Sequence, residues 1–270
     1  MDEMLSCAKS PNGKRISRSI FTSRLSVPHP ERAVSAFNVE VLLPVHNEGA
    51  NIERTIQGMH AEISKVTSLS FIVCEDGSKD NSKQVLRDLA SQLPIRLNLS
   101  GARKGYSRAM REGMDMLEAD FLLCLDSDGQ CDPADFASFW NMRESADVVI
   151  GWRTHRADPM VRRIFSRFFL VLYQGVFRAP VHDPSCPFVL MRKAVAKRLA
   201  HELGEMQEGF WWEFVARAHR RGFSVRELPI HHRLRSAGVT QVYKWQKMPG
   251  IFLRHVAALA TIWNQTRPNT

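Results

Sequence analysis

The chain has 270 residues, 44% of them hydrophobic, and a formal net charge of +9. That is enough apolar material for one sizeable core, yet no stretch reaches the roughly 18–20 uninterrupted apolar residues of a membrane span, and the N-terminus lacks the apolar run of a secretory signal. The positive balance suits nucleic acid, an anionic membrane surface or a phosphorylated ligand, but no basic motif interleaved with aromatics supports the first.

Residues 1–37 are rich in Ser, Arg and Lys and read as a flexible basic arm. The chain then alternates. Val39–Val45 is an apolar strand running into Pro44-Val45-His46-Asn47-Glu48, and Ile52, Ile56, Met59 and Ile63 recur at helical spacing over Asn51–Ser64. Leu69–Cys74 is a second strand ending on Glu75-Asp76-Gly77-Ser78, followed by a helix over Ser82–Leu93 with Val85, Leu86, Leu89 and Leu93 on one face. Ile95–Leu99 is a short strand and Tyr106–Leu117 a helix. Phe121–Leu125 is a fourth strand and Val148–Ile150 a fifth. Beyond lie an apolar-rich segment, Arg162–Phe177, a strand at Phe188–Met191, a helix over Gly209–Arg221 and a strand over Phe223–Ile230. An amphipathic helix over Ile251–Trp263 closes the chain, with Phe252, Val256, Leu259, Ala260 and Trp263 grouped on one side. This alternation predicts an α/β fold, a mostly parallel sheet flanked by helices, with ligands beyond the carboxyl ends of the strands.

The fourth strand stops on Asp126-Ser127-Asp128-Gly129-Gln130. Two acids one residue apart lean to the same side, and with the Gln130 amide oxygen they suit Mg²⁺ or Mn²⁺ on a phosphate-bearing substrate. An EF-hand is excluded, because its sixth position would be Cys131 and its twelfth Ala137. The five cysteines are scattered and lack metal spacing, which reads as a reducing, cytoplasmic chain.

These segments together resemble the family 2 glycosyltransferases of GT-A fold, and are most similar to the dolichyl/polyprenyl-phosphate mannose synthases and bacterial polyprenyl-phosphate glycosyltransferases. The motifs are Pro44 to Glu48, Glu75 to Asp80, Asp126 to Gln130 with Asp132-Pro133, Gly151-Trp152-Arg153, Arg162 to Ser166, Asp183 with Phe188, and Glu227 to Ile230 followed by Arg235. They cover about residues 38–245. The resemblance implies a glycosyltransferase domain over 38–235 and a C-terminal loop and helix over 236–270. It implies that Pro44, His46, Glu48 and Asp76 bind the nucleotide and Arg235 the donor diphosphate. Asp126, Asp128 and Gln130 would hold the metal, and Arg153, Arg162 and Ser166 the acceptor phosphate. The chain departs from the pattern at Glu75 for Asp, at Cys186-Pro187 for Ser-Gly, and at Gln241 where a lysine is common, with Lys244 nearby. The C-terminal membrane spans of some relatives are missing.

The expected reaction is inverting, metal-dependent transfer of a hexose from GDP-mannose or a UDP-sugar to a polyprenyl phosphate. Asp128 and Arg162 would act at the reacting centre. The partners are the donor and the lipid phosphate, with peripheral contact at the cytoplasmic face of the membrane and no nucleic acid. The alternative is a soluble hydroxyl or amine acceptor, which needs a base; Glu213 or Asp183 is the candidate. Phe168–Phe177 is a segment to face a lipid chain, and Ile251–Trp263 either packs on the core or lies on the membrane.

Overall fold

The computed structural model describes residues 36–154, 160–233 and 248–267, with side chains from 166 and 250 onward in the two helices that open the later stretches. All but residues 36 and 37 of the expected arm lie outside this range.

The elements alternate as expected. They are β1 (Val39–Val45), α1 (Ile52–Ile63), β2 (Leu69–Glu75), α2 (Ser82–Ala90), β3 (Ile95–Leu99), α3 (Tyr106–Met116) and β4 (Phe121–Cys124), then α4 (Phe136–Met142) after a short 3-10 turn. The later half holds β5 (Val148–Arg153), α5 (Met160–Phe177), β6 (Val189–Arg192), α6 (Lys193–Ala200), α7 (Phe210–Arg220), β7 (Val225–Ile230) and α8 (Met248–Gln265). One seven-stranded sheet runs in the order β3-β2-β1-β4-β6-β5-β7. Only β6 runs against its neighbours, β4 and β5. Every residue of β1, β2 and β4 is buried, the signature of strands covered on both faces.

The strand order sets the site. The chain steps outward from β1 to β2 to β3, then returns to the other side of β1 with β4. In sheets of this kind ligands bind where the order reverses, here beyond the ends of β1 and β4. Pro44 explains why the two strands part there. The Leu42 carbonyl accepts from Leu125 N–H on the β4 side at 3.2 Å, and the Val45 carbonyl accepts from Asp76 N–H on the β2 side at 2.8 Å. By alternation the Pro44 nitrogen faces β4, and it has no hydrogen to donate. The β1–β4 ladder stops at Leu42 opposite Cys124, while β1–β2 continues to Val45 opposite Glu75.

Three expectations need correction. The periodicity predicts no helix at α4 or α6; each is short, and α6 buries two alanines along with Val195 and Leu199, a weak apolar signal. β5 runs past Ile150 to Arg153 because β7 pairs with it in parallel through Arg153 opposite Ile230. In α8 the buried face is Ile251, Ala258, Leu259 and Ile262, so Val256 and Ala260 turn outward.

Candidate active site

The polar ends of β1 and β2 are laced together. Asn47 adopts a left-handed backbone (φ 56°). Its N–H donates to Ser78 Oγ at 3.0 Å, and its Oδ1 accepts from Lys79 N–H at 2.9 Å. Glu48 N–H donates to Ser82 Oγ at 3.0 Å. His46 donates through Nδ1 to the Asp76 carbonyl at 2.7 Å, the role a carbonyl partner requires. These bonds fix His46 and Glu48 where β1 ends. Glu75 is fully buried. Burial alone would raise its carboxyl, but hydrogen bonds from Ser78 and the Lys83 charge hold it below the ordinary carboxylate range.

Asp76 sits differently from a free ribose ligand. It is buried, and its carboxylate accepts the backbone N–H groups of Lys104 and of Gly105, the latter at 2.9 Å. Gly77 (φ 65°) lets the same loop lie against it; a Cβ there would stand 2.3 Å from the Ala102 carbonyl carbon. Asp76 thus fixes the β3–α3 loop, which walls a cleft of about 420 Å³ lined in part by Asn98, Ser100, Arg103, Lys104 and Arg108.

The acids follow β4. Tyr106 Oη, at the start of α3, donates to Asp126 Oδ1 at 3.0 Å and accepts from Trp211 Nε1 of α7 at 2.8 Å. Burial, and then the Asp126 charge beside it, hold the phenol protonated well above its usual range, so it remains a donor. Asp128 Oδ1 accepts from Gln130 N–H at 3.1 Å. Gln130 also binds across the chain: its carbonyl accepts from Arg233 N–H at 2.8 Å, and its Nε2 donates to the Arg233 carbonyl at 3.3 Å. Cys131 bridges His232, and Arg233 pairs with Asp132. The segment after β7 is therefore pinned to the acid loop. His231 is a surface residue paired with Asp135.

On the far side, Arg153 ends β5. Its Nε and Nη2 reach Asp183 Oδ2 and Oδ1 at 2.8 and 3.0 Å, and Nη2 also reaches Ser185 Oγ at 2.7 Å. Burial opposes the guanidinium charge, and Asp183 more than offsets this. Arg153 is therefore not an uncommitted cation, and Asp183 is not an uncommitted base. Cys186, one of the departures, packs under β5, where a Cβ on Gly151 would meet its Sγ at 2.9 Å. Ser166 is half-buried on α5. The Arg162 side chain and Arg235 lie outside the described residues.

Glu213 lies inside α7, fully buried. It accepts from Arg217 Nε at 2.8 Å and from Gly204 and Met206 N–H at 3.1 and 2.8 Å. Both oxygens serve the packing of α7, so this geometry gives Glu213 a structural task rather than a place facing an acceptor.

The model of glycosyl transferase family 2 matches residues 40–200, more than half of the chain. The chain belongs to that family. As a family 2 glycosyltransferase it is 23% identical over 227 residues to the undecaprenyl-phosphate 4-deoxy-4-formamido-L-arabinose transferase of Yersinia enterocolitica, covering 83% of this chain and 68% of that protein. It is 26% identical over 219 residues to the dodecaprenyl-phosphate galacturonate synthase of Rhizobium johnstonii, covering 77% and 62%. The chain thus spans about two thirds of the length of these relatives. Among solved structures it is similar to glucosyl-3-phosphoglycerate synthase from Mycobacterium tuberculosis in complex with Mn²⁺, uridine diphosphate and glucosyl-3-phosphoglycerate. The TM-score is 0.64 at 16% identity, over 87% of this chain and 82% of that one. That likeness establishes the GT-A fold.

Among the described residues no group of three or more His, Cys, Asp or Glu forms a metal cage. The glycosyltransferase instead offers the carboxylates of Asp126 and Asp128 after β4, with Asp126 oriented by Tyr106 and Asp128 by Gln130. This donor set fits an ion that keeps water and takes its remaining ligands from phosphate oxygens, as Mg²⁺ and Mn²⁺ do. Sequence reasoning missed Tyr106, Trp211 and the Arg103–Lys104 loop. The first two carry no local signal, since 105 positions separate them. The loop does, in the basic residues and Gly105 that precede α3.

Proposed function

We propose that this glycosyltransferase moves a sugar from a nucleoside-diphosphate sugar to a polyprenyl phosphate, inverting the anomeric carbon. The observation that carries the acceptor assignment is the state of its two candidate bases. Asp183 is held by Arg153 and Glu213 by Arg217. A hydroxyl acceptor must lose a proton to such a base. A phosphate monoester, with a second pKa of about 6, is already a nucleophile at neutral pH. The relatives named for undecaprenyl and dodecaprenyl phosphate support the same choice.

In this reading the acceptor phosphate oxygen bonds to the anomeric carbon from one face as the bond to the donor diphosphate breaks on the other. The departing diphosphate carries away the electron pair. Pro44, His46, Glu48 and the loop fixed by Asp76 bind the nucleotide, and Arg235 binds the diphosphate. Arg153, Arg162 and Ser166 receive the acceptor phosphate, with Arg153 kept in place by Asp183. Asp126 and Asp128, with Gln130, hold Mg²⁺ or Mn²⁺, which when bound offsets charge on the leaving diphosphate. The chain's own part is to orient these carboxylates through Tyr106 and Gln130.

The test is a thermal-shift screen of nucleotide sugars with Mn²⁺, repeated with Asp128→Ala, followed by transfer assays. A shift for one donor that vanishes in the variant, with transfer to farnesyl or undecaprenyl phosphate, is expected. Transfer to a soluble hydroxyl or amine, with none to either lipid phosphate, would overturn the reading.

A further inference from the structure

The loop between α5 and β6 presents Asp183 to Arg153, and one carboxylate of β7 holds that loop. Glu227 Oε1 accepts from Asp183 N–H at 2.8 Å and from His182 N–H at 2.9 Å. Its Oε2 accepts from the His182 ring Nδ1 at 2.7 Å, since a carboxylate has no hydrogen to give. The Glu227 side chain is only 8% exposed. Backbone N–H groups in an irregular loop have no ladder to satisfy them, and here a side chain of the edge strand takes that part. The His182 ring also stacks on Trp152, with centroids 4.8 Å apart and planes at 22°.

The contacts continue from the loop to the arginine. Asp183 takes Arg153 Nε and Nη2, and Ser185 Oγ, which donates to Asp183 Oδ1 at 2.8 Å, takes Nη2 as well. A guanidinium has five N–H donors, and these bonds use the one on Nε and the two on Nη2. The pair on Nη1 has no partner among the described residues. Their direction is therefore set by Asp183, whose backbone is set by Glu227. Anchor and arginine ride on adjacent strands in one register, with Glu227 opposite Ile150 and Ile230 opposite Arg153.

From this geometry we propose that Glu227 is a positioning residue for the acceptor side of the site. It does not touch the phosphate; it fixes the loop that aims the free edge of Arg153. The proposal rests on the reading that Arg153 receives the acceptor phosphate. Guanidinium recognition of phosphate depends on direction as well as charge, so a small shift of the loop is felt in affinity.

The experiment is calorimetric titration of farnesyl phosphate into wild type, Glu227→Gln and Glu40→Gln, well below every melting transition. Glu40 is the control. It is a buried carboxylate at the opposite end of the sheet that accepts from Arg96 and from the Glu118 and Ala119 N–H groups. Both variants should melt at lower temperature. Only Glu227→Gln should weaken farnesyl phosphate binding, by about tenfold, the worth of one net hydrogen bond. Mn²⁺ affinity should stay at the wild-type value in both. Unchanged acceptor affinity in Glu227→Gln, an equal loss in Glu40→Gln, or a parallel loss of Mn²⁺ affinity overturns the proposal. If Glu227→Gln does not fold, amide hydrogen exchange of wild type decides. Farnesyl phosphate should slow exchange at His182 and Asp183, and no slowing overturns the proposal. Arg153→Met separates this proposal from the reading beneath it. Wild-type affinity in Arg153→Met, or no binding by wild type, sinks both. Weaker binding in Arg153→Met with none lost in Glu227→Gln sinks the positioning role alone.

Discussion

Tyr106 donates its hydroxyl hydrogen to Asp126 at 3.0 Å while receiving the indole N–H of Trp211. A residue of α3 and a residue of α7 thereby set the orientation of the first acid after β4. Tyr106→Phe keeps the ring and its edge contact with Phe210 but leaves the indole and the carboxylate short of one partner each. The expected result is a loss of about 1–3 kcal/mol of stability, the range for stranding buried polar groups. Mn²⁺ affinity, read by electron paramagnetic resonance of the free ion, should weaken severalfold. Trp211→Phe keeps the Tyr106 donation and should cost stability with little change in Mn²⁺ affinity. Equal loss of affinity in both variants would reduce Tyr106 to packing.

The Arg153–Asp183 pair predicts a strongly non-additive cycle. Its side chains are 12% and 4% exposed. Asp183→Asn strands a buried guanidinium and should cost about 3–5 kcal/mol in denaturant unfolding. Arg153→Met with Asp183→Leu should be milder than the sum of the single changes. Additive effects would mean that the two groups do not depend on each other.

Glu213 separates the two acceptor classes. Its partners predict that Glu213→Gln weakens the Arg217 contact and lowers the melting temperature by several degrees, while kcat of the remaining folded enzyme stays within about tenfold. A fall in kcat of about a thousandfold or more, with donor affinity intact, would restore Glu213 as a base and favour a hydroxyl acceptor.

Glu75 gives a pH dependence with a defined sign. Its folded carboxyl titrates below the ordinary range, so the folded state binds fewer protons than the unfolded state as pH falls. The stabilisation is complete above the unfolded value of about 4.3 and is lost as pH drops through the lower folded value. Asp80, Glu112 and Asp147 are shifted the same way and share this acid limb. Glu75→Gln should lower stability at neutral pH and flatten the limb between about pH 5 and 3 without abolishing it. An unchanged slope would show that Glu75 carries no linkage.

The fully buried strands were the most legible part of the chain. β1 and β2 are continuous apolar runs because both faces are covered, and the polar residues that end them stand out for the same reason. The acid loop stood out through its two-residue spacing at the end of an apolar strand. What was hidden depends on long-range pairing. Nothing near Arg153 announces Asp183, thirty positions away, and the strand that presents it is lengthened by β7. Glu213 stood as a candidate base for a hydroxyl acceptor because its partner Arg217 reads equally well as a solvated helix residue. The face of α8 was misjudged because several rotations of an alanine-rich helix have similar hydrophobicity, and packing against α5 and α7 decides among them.

Pro44 acts before any ligand arrives. Since an imide nitrogen can never close the gap toward β4, the opening is built into the covalent chain and does not depend on what fills it. A ligand entering there would meet a mouth already parted, and its binding energy would go to recognition instead of prising two β-segments asunder.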